Sequence, residues 1–305
     1  MSSPRSIDKM SKPPSSAPER QEEIPAAARA ARLVFASALE IFLLGSVLLL
    51  VLLVGRLAAF AKPGTVAAAA APELTIWSFI TAFAAATALL VILARTRRGA
   101  LVFTLLFTLA VFVGVGAWFE TAFGTGPAII AVAAAVLLHY AVSRVATYDL
   151  ILVFGMAGLA LGLGEAMRPL VVVVILAGLS FYDLFAVYVT RHLAEAAASL
   201  LRQRAIFAII IPSTSAGFFK RLKEVSADGG FFFLGTGDMV LPAMLVASLA
   251  VRGSSAAVPV AIGALAGLLA TSLIFAAQRT HRPMPALPPI ALGSIVGYLI
   301  TLLAS

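Results

Sequence analysis

The chain contains no cysteine and very little histidine. Without cysteine, thiol nucleophiles, cysteine-ligated metals and disulfide bonds are excluded, and the redox compartment stays undetermined. Only three histidines occur, His139, His192 and His281, and they are too scattered in the chain for a metal site. No HExxH pattern is present, so a zinc metalloprotease has no support in the sequence. We therefore expect neither a metal nor a cofactor.

Charge is also scarce. Charged residues make up 12% of the 305 residues, whereas 61% are hydrophobic. Soluble domains are closer to half apolar. The apolar residues here form continuous blocks of about 20 residues, the length that crosses a bilayer as a helix. They lack the alternation that a barrel strand needs. The predicted fold class is an all-α polytopic membrane protein.

The apolar blocks predict nine transmembrane helices in one membrane domain. Residues 1–28, rich in Ser, Pro and charge, are predicted as a disordered cytosolic tail. Spans one to six occupy 29–190, a cytosolic loop covers 191–229, and spans seven to nine occupy 230–305. The predicted spans are 32–59, 74–94, 100–122, 126–143, 148–164, 169–190, 230–251, 256–277 and 286–304.

Positive charge is unevenly distributed across this layout. Of the 22 Lys and Arg residues, all but Arg56, Lys62, Arg168 and Arg252 fall on one side of the nine spans. The positive-inside rule assigns that side to the cytosol, so we expect a cytosolic N-terminus, an outside C-terminus and a location in the cell membrane. Topology and anionic headgroups thus explain the net charge of +8, and no nucleic acid is expected as a partner.

Three acidic residues fall well within predicted spans: Asp183, Asp238 and Glu40. An ionisable group in hydrocarbon is costly and is a functional-site hypothesis by default. At 1.5 Å per residue, Asp183 and Asp238 both lie roughly 10–12 Å below the cytosolic surface, on adjacent antiparallel spans. Two carboxyl groups at one depth favour a pair that shares a proton and activates water. The alternative is that each bonds a neighbouring helix independently.

Small and aromatic residues flank the two acids. Gly235 and Gly237 precede Asp238, where they permit close approach of another backbone and loosen the helix. Loosened backbone at membrane depth is tolerated beside a cavity, through which water would reach the acids. Tyr182 places a phenol next to Asp183; the alternative, an interfacial tyrosine, is less natural at this depth.

Span nine is predicted to begin with a proline-rich segment. Pro285, Ala286 and Leu287 are followed directly by two further prolines. Proline suits the first turn of a helix because its missing N–H has no intrahelical partner there. On its own, this segment indicates only the start of a helix.

Together, these elements resemble the presenilin and signal peptide peptidase family, the GxGD-type intramembrane aspartyl proteases. The matching motifs are Tyr182-Asp183, Gly235-Thr236-Gly237-Asp238 and Pro285-Ala286-Leu287, in this order on spans six, seven and nine. The resemblance implies that Asp183 and Asp238 are the catalytic aspartates. It also implies residues that shape the site: Tyr182, Gly235, Gly237, Pro285, Ala286 and Leu287. The resemblance is sharpest over about residues 170–300.

The loop between the two acidic spans carries six Lys and Arg residues. A cytosolic loop matches the presenilin orientation, whereas the loop of signal peptide peptidases faces the lumen. The short chain resembles a prokaryotic, most closely an archaeal, presenilin homologue. Its loop is much shorter than that of animal presenilins, so we expect neither self-cleavage nor obligate partner subunits of the γ-secretase kind. A homo-oligomer stays open.

The same loop contains a short apolar run. After a charged helical stretch, Arg191–Arg204, the residues Ala205–Ile211 are all apolar, and Pro212 ends the run. Seven such residues suit a short strand rather than a span. Two interpretations stay open: a segment packed on the helices, and a strand whose free edge pairs with an extended substrate.

The expected function is hydrolysis of peptide bonds within the transmembrane helices of membrane-protein substrates, in the lipid bilayer. The alternative is a carboxylate-based cation channel or transporter, which gives Pro285-Ala286-Leu287 no role. A non-catalytic membrane chaperone is a weaker third option. Glu40 is interpreted as structural, and Asp149 as a helix-terminus acid that the helix dipole favours.

Overall fold

The structure is a computed structural model that describes residues 26–61, 76–82, 84–85, 99–190, 208–226, 230–278 and 284–304. Within these residues the chain is mostly helical, as the sequence predicts. The nine helices described are α1 (Ala26–Ala61), α2 (76–82), α3 (Gly99–Phe123), α4 (Thr125–Ala141), α5 (Val145–Glu165), α6 (Pro169–Phe185), α7 (Thr236–Ala250), α8 (Ala257–Ala277) and α9 (Leu287–Ala304).

Some predicted segments lie outside the described residues. These are the tail up to residue 25, most of span two, and the charged stretch 191–204. Helix α1 begins at Ala26, so the last three residues of the predicted tail, 26–28, are helical.

Five of the described helices are long and apolar enough to cross a membrane. They are α1, α3, α5, α6 with the residues that follow it, and α8, whereas α4, α7 and α9 are apolar but shorter. Sharp breaks separate neighbouring helices. Gly124, with φ of 87°, joins α3 to α4, and Pro169 occupies the first turn of α6.

Helix α7 lies at the centre of the bundle. It contacts α1, α5, α6, α8 and α9. All of its residues from Pro242 to Ala250 are buried, with Met244 and Leu245 among the largest buried side chains. Helix α5 covers one side of α7 and contributes Leu152 and Met156 to the same core. The third residue of this central helix is Asp238.

Glycine allows α8 and α9 to pack with their backbones in contact at two positions. On α8, a Cβ at Gly267 would lie 2.6 Å from Cα of Ile290 and would collide with the carbonyl oxygen of Pro289. Gly263 meets Gly293 in the same way. Small residues at a helix interface let the backbones approach this closely. Helix α8 therefore fixes the position at which α9 begins.

A two-stranded antiparallel sheet connects α6 to α7. Strand β1 (Ala208–Pro212) pairs with β2 (Phe231–Gly235), with Ala208 opposite Gly235 and Pro212 opposite Phe231. Within the predicted apolar run, residues 208–211 belong to β1, while residues 205–207 lie outside the described part of the chain.

The start of span seven differs from the sequence-based prediction. Residues 231–235 form a strand, and α7 begins at Thr236 rather than at residue 230. Phe231 to Leu234 form a short apolar run, and periodicity does not distinguish a buried strand from a helix in so few residues. Their β-propensity and the pairing with β1 settle the conformation.

Candidate active site

Asp183 lies near the end of α6, where the helix changes its winding. The regular helix ends at Phe185, and residues 186–190 continue as a π-helix. A wider turn of this kind weakens helical regularity and often occurs at functional sites. The Asp183 side chain is half-buried, so it borders both the protein interior and its surroundings.

Asp238 lies in the first turn of α7, directly after β2. Its carboxylate folds back over the strand end, because a Cβ at Gly235 would lie 3.0 Å from Oδ2 of Asp238 and 3.5 Å from its Cγ. A side chain at Gly235 would therefore displace the carboxylate. Gly237 is different: among the described residues, no atom lies within 4 Å of the position that its Cβ would take.

A proline follows Asp238 at a spacing that loosens its helix. Pro242 lies within α7, four residues after Asp238. Because proline has no N–H, the backbone carbonyl of Asp238 lacks its usual intrahelical donor. This feature supports the expectation that the helix is weakened at the acid, although the weakening comes from Pro242 as well as from the glycines. The Asp-x-x-x-Pro spacing is readable in the sequence and is itself a signal of a weakened helix at this acid.

The structure brings the two aspartates together. Helices α6 and α7 are in contact, and the side chains of Asp183 and Asp238 are close enough for the charge of Asp183 to act on Asp238. They lie on different helices, at positions 183 and 238 of the sequence, so the tertiary fold creates this proximity. The structure therefore places the two carboxyl groups within electrostatic reach of each other.

The proline-rich segment also reaches the pair. The backbone N–H of Leu287 donates a hydrogen bond to the carboxylate of Asp183. Leu287 is the first residue of α9, and the first N–H groups of a helix have no partner within it. Asp183 thus supplies an acceptor to α9 from a neighbouring helix. Pro285 and Leu287 are buried, and Ala286 is half-buried.

Tyr182 occupies a more peripheral position. Its side chain is 50% exposed. Successive residues on a helix point about 100° apart, so Tyr182 and the neighbouring Asp183 face different directions. Of the residues predicted to shape the site, Gly235 lies against Asp238 and Leu287 contacts Asp183.

Glu40 and Asp149, the two other acids that the sequence analysis singles out, have different partners. Ser272 on α8 donates a hydrogen bond of 3.0 Å to Oε2 of Glu40 on α1. Asp149 is only 2% exposed and accepts a hydrogen bond of 3.0 Å from the N–H of Ile210 in β1. Asp149 is therefore a buried anchor for the strand rather than the helix-terminus acid that its position in the sequence suggested.

Comparisons with known proteins agree with this geometry. The sequence matches the family described as signal-peptide peptidase, presenilin aspartyl protease over residues 39–305. No curated protein is similar enough to count as a match.

Two solved structures share the fold. Both are described as a presenilin family intramembrane aspartate protease, one in space group P2 and one in C222. The first is 25% identical with a TM-score of 0.55, and the second is 24% identical with a TM-score of 0.54. Each match covers 86% of this chain and 97% of the other. This chain belongs to the signal-peptide peptidase and presenilin family and is an intramembrane aspartic endopeptidase.

Proposed function

We propose that Asp183 and Asp238 are the catalytic pair and that they hydrolyse peptide bonds within the transmembrane helices of other membrane proteins. The observation that carries this proposal is the convergence of the two carboxyl groups at the end of α6 and the start of α7. Two carboxyl groups that act together in hydrolysis share one proton, so one acts as acid and the other as base. A channel or transporter is not favoured, since it leaves the Leu287–Asp183 bond unexplained.

The reaction needs one water molecule and no covalent enzyme intermediate. The ionised carboxylate takes a proton from water while the water oxygen attacks the amide carbon. The neutral carboxyl group donates its proton to the carbonyl oxygen and gives a tetrahedral diol. The C–N bond then breaks as a proton passes from the first acid to the amine. A proton from a diol hydroxyl returns to the second carboxylate, which restores the starting state.

Two contacts position the acids for these steps. The N–H of Leu287 holds Asp183 from the start of α9, and the missing side chain of Gly235 leaves room for the Asp238 carboxylate. Pro285 and Ala286 set the path of the chain that brings Leu287 there. Gly237 leaves open space beside Asp238, which suits the close approach of a substrate backbone.

A helical substrate must unwind before its amide is accessible, and the hairpin offers an edge for the unwound chain. The N–H of Ile210, on the outer edge of β1, is already taken by Asp149. Among the described residues, no backbone hydrogen bond joins the outer edge of β2 to another segment. Because β2 leads directly into α7 and Asp238, we assign substrate pairing to β2 rather than to the 205–211 run.

The charge distribution supports a cytosolic N-terminus and a cytosolic 191–229 loop, with the chain in the cell membrane. In this orientation the active site opens towards the cytosol. We expect a single chain to be active, with homo-oligomerisation open.

The test replaces each acid by its neutral isostere. In proteoliposomes with a transmembrane substrate, Asp183→Asn and Asp238→Asn are each expected to abolish cleavage. Glu40→Gln is the matched control, because it neutralises an intramembrane acid that bonds Ser272 instead. Full cleavage by either Asp variant would refute the pair. Ion flux that disappears in both variants, without any proteolysis by the unmodified protein, would establish the channel alternative.

A further inference from the structure

A cavity that none of the described aspartates lines lies between α3, α4 and α5. Its volume is about 750 Å³, and it is enclosed by α3, the end of α4, the start of α5 and residues 221–223 of the loop between the strands. Its floor is apolar, with Phe107, Val111 and Ile151 among the lining residues. The catalytic geometry described above makes no use of this space.

The rim of the cavity is cationic. Arg144, Arg221 and Lys223 all line it and are exposed, and no Asp or Glu is found among its described lining residues. Hydroxyl groups from Thr108 and Ser143 are also present. A cluster of bases beside an apolar floor matches the chemistry of an amphiphile with an anionic head.

A backbone bridge places two of these basic residues opposite each other. Arg144 and Arg221 are directly opposite one another in an isolated antiparallel bridge. The N–H of Val145 donates to the carbonyl of Lys220 at 3.1 Å, and the N–H of Leu222 donates to the carbonyl of Ser143 at 3.0 Å. Like charges directly opposite one another in a β-pair are destabilising. An anion bound between the two guanidinium groups would remove this repulsion.

We propose that this cavity binds an anionic phospholipid from the membrane. Its phosphodiester would lie among Arg144, Arg221 and Lys223, and part of an acyl chain would cover Phe107 and Val111. A soluble anion would leave the apolar floor unoccupied. A lipid uses both parts of the site and is supplied by the bilayer that α3 and α5 are long and apolar enough to cross.

Two adjacent residues provide a matched test of the headgroup contact. Arg221 lines the cavity, whereas the ammonium of Lys220 lies 5.5 Å from the centre of the Phe231 ring. Both carry one positive charge in the same loop. If the cavity binds the lipid, Arg221→Gln weakens binding by about fivefold, the usual contribution of one base near a lipid headgroup, and Lys220→Gln leaves it unchanged.

The measurement is native mass spectrometry of the purified full chain in detergent, titrated with dioleoyl phosphatidylglycerol or dioleoyl phosphatidylcholine. We expect one retained phosphatidylglycerol and much weaker retention of phosphatidylcholine. Thermal unfolding should show a phosphatidylglycerol-dependent gain in stability for the unmodified chain and for Lys220→Gln, and a smaller gain for Arg221→Gln.

A second variant tests the apolar floor without changing charge. Thr108→Trp places an indole ring in the cavity and is expected to weaken retention of phosphatidylglycerol. The proposal is overturned if Arg221→Gln and Lys220→Gln weaken binding equally, which would indicate diffuse attraction. Equal retention of both lipids, undiminished binding to Thr108→Trp, or equal stabilisation by inorganic phosphate alone would also overturn it.

Discussion

Helices α6 and α7 each carry one aspartate, but their surroundings are opposite. In α7 every residue from Pro242 to Ala250 is buried. In α6 the buried residues are only Val172, Ile175 and Leu176, and Phe181, two residues before Asp183, is 75% exposed. One acid therefore lies at the start of a core helix and the other on a helix at the periphery, and both side chains are half-buried.

This contrast shows which contacts hold Asp183 and Asp238 in position relative to each other. The position of Asp238 follows from the packing of the whole core, which a single change perturbs little at the site. Asp183 depends on contacts from outside its own helix, above all the bond from the N–H of Leu287. The geometry of the pair is therefore most sensitive to the placement of α9 against α6.

The largest effect is expected from a change that moves α9. Gly267→Ala would place a methyl group against the backbone of Pro289 and Ile290, and so displace Leu287 from Asp183. A misplacement of about 1 Å costs roughly 100-fold in rate, so we expect at least that loss of cleavage in proteoliposomes.

The matched control for Gly267→Ala is Gly162→Ala on α5. No described atom lies within 4 Å of the position that the added methyl group would take. This variant should cleave normally. Unchanged cleavage by Gly267→Ala would show that α9 does not set the position of Asp183.

The second prediction concerns the hydrogen bond between the N–H of Leu287 and Asp183 alone. Leu287→Pro removes the N–H that reaches Asp183, while proline is still compatible with the first position of α9. Cleavage should fall by about tenfold or more, mainly in kcat, because substrate contacts are retained. Leu287→Met retains the N–H and the side-chain volume and should behave normally. Equal kinetics for the two variants would contradict a positioning role for this bond.

A smaller effect on cleavage is expected from a change at Gly235, beside Asp238 at the start of α7. Gly235→Ala places a methyl group 3.0 Å from Oδ2 of Asp238, so the carboxylate must shift by a few tenths of an ångström. We expect about a tenfold loss in kcat/KM from this displacement. Gly178→Ala, on α6, adds a methyl group where no described atom lies within 4 Å, and it serves as the control. A loss as large as that of Gly267→Ala would mean that Asp238 is as weakly held as Asp183.

The last prediction concerns stability rather than cleavage. Met244 on α7 is 1% exposed, whereas Leu170 on α6 is 66% exposed. Met244→Ala should lower the free energy of unfolding by about 2–5 kcal/mol because it leaves a cavity in the core. Leu170→Ala should change it by less than about 0.5 kcal/mol. Thermal or denaturant unfolding in detergent measures both, and similar losses would contradict the contrast between the two helices.

Much of this arrangement follows from local sequence patterns. Blocks of apolar residues predict the helices, and acids in apolar blocks single out Asp183 and Asp238. The prolines after Leu287 predict the start of α9 within one residue. In each case the signal is carried by neighbouring residues, so no knowledge of the tertiary fold is required.

Three features could not be predicted from the sequence because they depend on the tertiary fold. The bond from Leu287 to Asp183 joins segments about 100 residues apart, and nothing in either segment specifies it. Asp149 has the sequence position of a helix-terminus acid, but the loop strand covers it and uses it as an acceptor for Ile210. The strand at 231–235 is apolar like a membrane span, and only its pairing with β1 distinguishes the two.

The shortness of α7 has a consequence for hydration. Fifteen residues span about 22 Å, whereas the hydrocarbon layer is ~30 Å thick. The helix therefore falls about 8 Å short of crossing the layer, and its deficit at the Asp238 end is filled by a strand rather than by lipid-facing helix. Because α7 is surrounded by other helices rather than by lipid, space at this end can admit water without exposing hydrocarbon. Such a path would bring the aqueous phase towards Asp238 and supply the water that hydrolysis consumes.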